Sequence, residues 1–132
     1  MKAEYLSYFN ETVSRVKHSV NFTIPIIHAD HGQLKGHKKA FGCCHGYRNA
    51  AGWEAEKITI DEYFIEECYE AEVKGKWYIG KLIGCTLVEV ICHEIAHIHE
   101  MRHGKKHREL ARRLTGLVEA GRPHGLAQGG AA

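Results

Sequence analysis

Leu6, Phe9, Val13, Val16 and Val20 recur at intervals of three and four, which lays one apolar stripe along a helix over about Ala3 to Ser19. Phe22, Ile24 and Ile26 then alternate with Asn21, Thr23 and Pro25, the pattern of a strand. Pro25 has no N–H to give to a ladder, so this strand belongs at an edge or an end. The polar stretch Asp30 to Lys38 holds Gly32 and Gly36 and predicts a turn. Two further strands are expected over Ala40 to Tyr47 and Glu56 to Ile60. Asp61 is placed to cap a helix over Glu62 to Val73, with Phe64, Ile65, Cys68 and Tyr69 turned inward and Gly75 ending it. From Ile79 to Met101, the apolar residues Leu82, Ile83, Leu87, Val88, Val90 and Ile91 begin a helix that is apolar around most of its circumference and therefore buried. A last helix, Lys105 to Glu119, presents Leu110, Leu114, Leu117 and Val118. Helix, short strands, then helices is the order of an α+β domain over residues 1–120, and Gly121 to Ala132 reads as a flexible tail.

Composition changes this picture in one respect. At 132 residues, with 44% hydrophobic and 26% charged residues, the chain suits one ordinary globular domain rather than a low-complexity or disordered one. No uninterrupted apolar run reaches the length of a membrane span, and a net charge of +2 is too mild to define a nucleic-acid binder. Five Cys without a C-x-x-C pair, and no apolar leader, predict free thiols in an intracellular, reducing compartment: cytoplasm, or nucleoid or nucleus if DNA is a partner. The unusual number is 11 His. Imidazole is the commonest metal ligand, so the excess directs attention to metal chemistry.

His93-Glu94-Ile95-Ala96-His97 is an H-E-x-x-H pattern inside the apolar helix. A spacing of four stacks both imidazoles on one helix face, where two nitrogens can meet one ion. Glu94, about 100° round from His93, can reach a water on that ion and take its proton as general base. With so many His and Glu, chance alone would produce the pattern in about one shuffled chain in ten. The setting adds weight, because unpaired imidazole and carboxylate groups are costly on a buried helix. The competing reading is a pair of core histidines satisfied by backbone carbonyls.

A catalytic zinc needs a third ligand and an open position. His103 is the first candidate: Gly104 follows it, and a helix ending near Met101 or Arg102 lets the chain fold back. Glu119, on the next helix, is the rival. The spacing also matches the metzincin pattern, but Glu100 stands where that pattern has Gly and no Met follows Met101.

His93-Glu94-Ile95-Ala96-His97, followed after five residues by His103-Gly104-Lys105-Lys106-His107, resembles the SprT-like (Spartan-type) zinc metallopeptidases over about Leu87 to Leu114. The resemblance implies a minimal zincin-like domain: an N-terminal helix, a small three-stranded sheet, the buried H-E-x-x-H helix and a following helix. It also implies one Zn2+ per chain on His93, His97 and His103, Glu94 as general base, and hydrolysis of protein or peptide substrates, often proteins attached to DNA. Position 107 holds His where the pattern implies Phe or Tyr, and the chain carries no Cys-rich zinc ribbon.

Charge is unevenly spread. Lys35, Lys38, Lys39 and Arg48 lie in an acid-free stretch, and a second basic run extends from Arg102 to Arg113. These patches could contact nucleic acid, with Tyr47 or Trp53 stacking on a base, or be solvated faces. The alternative to a peptidase is thus a zinc-stabilised module that binds nucleic acid or protein without cutting. A second metal on His31, His37, Cys43, Cys44 and His45 lacks any familiar ligand spacing. Cys85 and Cys92, seven apart, are expected on one core-facing side of the long helix, Glu89 as support for a ligand or as a surface residue, and Tyr47 or Tyr78 as candidate oxyanion donors.

Overall fold

A computed structural model describes residues 1–31, 40–100 and 103–121. The apolar stripe forms α1 (Ala3–Val20), closed by Asn21 in the left-handed conformation. Strands β1 (Ile26–Ala29), β2 (Gly42–Asn49) and β3 (Gly52–Asp61) follow, then α2 (Glu62–Glu72), α3 (Trp77–Ile83), α4 (Leu87–His99) and α5 (Lys105–Ala120). The class is α+β, and the sheet is mixed. Its order is β1-β3-β2, with β1 parallel and β2 antiparallel to the central β3. Among the described strands, β2 therefore ends the sheet on the side of α4.

Ile58 and Ile60 of β3, Phe64 and Ile65 of α2, and Leu87 and Ile91 of α4 are fully enclosed and form the centre of the core. Burying side chains of this size contributes roughly 1.5–3 kcal/mol each. Asp61 is buried with them because its carboxylate is occupied: one oxygen accepts from the Phe64 N–H at 3.1 Å, capping α2, and the other from the His31 N–H at 3.0 Å. Tyr69, expected inward, is half-buried, its ring edge-on to Tyr5 and Tyr8 of α1.

Three boundaries differ from expectation. The first strand lies at Ile26–Ala29 rather than over Phe22 to Ile26, because Pro25 can only accept: its carbonyl takes the Ile58 N–H at 2.9 Å and opens the ladder. Strand β3 begins at Gly52, well before Glu56, because Asn49 builds a tight hairpin in which its side chain accepts from the Ala51 N–H. The helix expected over Ile79 to Met101 is two helices. Gly84 takes φ 76°, which ends α3, and Thr86 starts α4 with a reciprocal cap: its hydroxyl accepts from the Glu89 N–H while the Glu89 carboxylate accepts from the Thr86 N–H. Glu89 is thus a capping residue, and Cys85 lies in the link while Cys92 is buried on α4. Helix α4 closes at His99, and residues 101–102 are outside the described residues, as are residues 32–39, which include most of the expected turn, and residues 122–132 of the expected tail. None of the described helices is long and apolar enough to cross a membrane.

Candidate metal centre

Helix α4 packs against α5 on one side and against β2 and β3 on the other. Its apolar residues take the core, which leaves His93 and His97, one turn apart, at its exposed margin. Gly104 follows His103 in extended backbone (φ 175°) and α5 starts at Lys105, so the chain returns at once to α4. His103 Nε2 lies 3.0 Å from His97 Nε2 and 3.2 Å from His93 Nε2. His93, His97 and His107 in turn offer ligand atoms that all lie within 4.8 Å of one another and could hold a metal ion. Four imidazoles therefore gather at one place, and His99, on the same helix, is exposed.

The donor chemistry fits a cation. A ring nitrogen carries either a proton or a lone pair, so a His103 Nε2 that faces two other Nε2 atoms cannot satisfy both by exchanging protons. A tetrahedral ion with nitrogen ligands at about 2.0–2.1 Å sets those ligands about 3.3–3.4 Å apart, close to the separations from His103. Imidazole sets suit zinc, copper, iron and nickel alike, so the nitrogens could hold a metal ion without specifying which. Burial, with the added field of His107, His97 and His103, pulls the His93 pKa down to about 4, which favours the neutral, coordinating ring at neutral pH.

Glu94 is 7% exposed, and its Oε2 stands 4.0 Å from His93 Nε2, beside the nitrogens rather than among them. Burial raises its carboxyl to about 7, opposed by a hydrogen bond from the Cys44 backbone N–H. That contact needs β2 close against α4, and Gly42 permits it. A Cβ at Gly42 would fall 2.9 Å from Glu94 Cγ and 3.1 Å from Val90 Cγ1.

Two hollows open on either side of this pair. One, of about 340 Å³, is lined by Cys43, Trp53, His97 and His103; the other, of about 330 Å³, by Phe41, Cys85, Glu89 and Val90. Both share Gly42, His93 and Glu94. Among the described residues, neither Tyr47 nor Tyr78 lines either hollow: the Tyr47 hydroxyl donates to Glu54, and Tyr78 is exposed beside Trp77 on α3. Glu119, the rival third ligand, sits at the far end of α5, where Arg15 of α1 reaches its carboxylate at 3.5 Å.

Sequence reasoning missed the burial of His107 and a second pair of histidines. His31 Nε2 and His45 Nε2 each lie 2.8 Å from the Thr59 hydroxyl, and His31 Nδ1 lies 2.8 Å from the Ala40 carbonyl oxygen. The carbonyl can only accept, so Nδ1 of His31 donates; in the neutral ring its Nε2 then accepts from Thr59, whose oxygen accepts in turn from His45. Among the described residues no second metal-ligating group of three forms there, and Cys43 is exposed. His37, Lys35, Lys38, Lys39 and Arg102 fall outside the described residues. No known family model matches the chain, and neither does any curated protein or solved structure.

Proposed function

We propose that the protein is a zinc-dependent endopeptidase of the SprT-like type, with the ion held by His93, His97 and His103. The observation that carries the reading is the placement of the Glu94 carboxylate 4.0 Å from His93 Nε2, beside three converging imidazole nitrogens and open to a cleft. When bound, zinc supplies Lewis acidity toward a carbonyl oxygen and makes a water more acidic. Glu94 takes a proton from the attacking water as its oxygen bonds to the carbonyl carbon. It then delivers that proton to the amine as the C–N bond breaks. Hollows on both sides of Glu94 support cleavage within a chain rather than at its end. An extended segment could add to the edge of β2, whose Gly42, Cys43 and Cys44 line the first hollow and Gly42 the second.

Lys105, Lys106 and Arg108 are exposed at the start of α5, which favours protein substrates carried on nucleic acid. The test is to purify the zinc-loaded chain with Glu94→Gln. The variant should keep one ion and lose cleavage of an unfolded protein substrate by at least about a hundredfold. Full cleavage by Glu94→Gln would sink the mechanism, and one bound zinc without cleavage in the unmodified chain would favour the binding module instead.

A further inference from the structure

His107 is a polar ring at 1% exposure, three residues into α5. Its Nε2 lies 3.0 Å from the backbone carbonyl oxygen of His93. The carbonyl only accepts, so Nε2 carries a proton and donates, which commits that nitrogen to the main chain. Within α4, the same carbonyl is the acceptor for the His97 amide, four residues on. His107 therefore grips the one helical turn that joins His93 to His97. Its ring also stacks on His97, centroids 4.1 Å apart and planes 28° apart, and meets His93 edge-on at 4.4 Å. His107 thus touches the His97 ring face to face, the His93 ring edge-on and the His93 backbone at once.

We propose that His107 is a positioning residue and His103 the third ligand: His107 presets the rotamers of His93 and His97 so that their Nε2 atoms meet that of His103 before an ion arrives. A Phe or Tyr at this place would supply the stacking face alone. Histidine supplies the face and a tether to the main chain. The inference rests on the same metal centre as the peptidase reading but requires no peptide hydrolysis, so the two fail separately. Support of this kind around ligands is worth about ten- to a hundredfold in metal affinity, since it removes rotamer freedom that binding would otherwise have to freeze.

The experiment is a chelator-competition titration with Zn2+, together with the visible absorption of the Co2+-loaded chain, for the unmodified protein, His103→Ala, His107→Phe and His107→Ala. The melting temperature of each metal-free chain is measured alongside. His107→Phe should keep one ion and an unshifted Co2+ band with severalfold weaker affinity. His107→Ala should lose about ten- to a hundredfold in affinity with the band still that of three nitrogens. His103→Ala should shift the band and lose far more. If His107→Ala does not fold, His107→Phe and the metal-free melting temperatures decide. The proposal is overturned if affinity is unchanged in His107→Phe and His107→Ala, or if the Co2+ band shifts on removing His107 and not on removing His103.

Discussion

Two histidine clusters flank β2, and they solve opposite problems with the same side chain. On the outer face, His31 and His45 approach the Thr59 hydroxyl from two sides, and each of the three ring nitrogens in that chain faces an oxygen. At the α4–α5 junction, nitrogens approach nitrogens: His103 faces His97 at 3.0 Å and His93 at 3.2 Å. The first cluster is complete as a hydrogen-bond network, whereas the second has the donor set that could hold a cation. What separates the two clusters is the identity of the atom each ring nitrogen faces.

The sharpest way to break this contrast is to remove one ring from each cluster. His97→Ala should abolish tight metal binding, a loss of several kcal/mol in affinity, whereas His45→Ala should leave one ion per chain. Metal content after dialysis measures both, and retention of the ion by His97→Ala would erase the distinction. Stripping the ion with a chelator should lower the melting temperature of the unmodified chain but not that of His97→Ala.

Next in size is Gly42→Val, which sets a side chain against Glu94 and Val90. It should destabilise the fold by about 1–3 kcal/mol and cut cleavage more than it cuts metal content. Equal loss of both would mean that β2 supports the ligands rather than the carboxylate. Thr59→Val keeps the shape of the outer network but removes its hydroxyl. We expect about 1–3 kcal/mol of lost stability in denaturant titration, with metal affinity unchanged. The smallest effect belongs to Thr86→Ala, which opens the cap of α4. It should cost about 1 kcal/mol and alter neither cluster, as a melting curve and a metal titration would report.

Much of the scaffold was legible from periodicity. The stripe of α1, the Asp61 cap of α2 and the turn after His103 all act through neighbours a few residues away. The break before α4 was local too: Gly84 followed by Thr86-x-x-Glu89 is a stop and a start, masked by the continuous apolar run around it. His93, Glu94 and His97 could be picked out because helix geometry relates them at short range, and His103 because it lies only six residues on; Gly104, expected to close α4 in a left-handed turn, is instead extended and opens α5. His107 could not, since its partner is a carbonyl 14 positions back on another helix. The Thr59 network was hidden for the same reason: its partners lie 14 and 28 residues away.

The register of β2 slips between His45 and Gly46, where the strand folds closely over Trp53: a Cβ at Gly46 would lie 2.3 Å from its ring. Only the stretch from Gly42 to His45 therefore runs straight past Glu94. Under the peptidase reading, that stretch is a short ruler. It offers an incoming chain a handful of main-chain hydrogen bonds at about 1 kcal/mol each, too few to hold a product or to prise open a folded sheet. Such an edge suits segments that are already extended and lets them go after cutting. Lengthening a peptide beyond that reach should leave KM flat, and a KM that keeps falling with every added residue would show that the ruler is longer than the straight part of the strand.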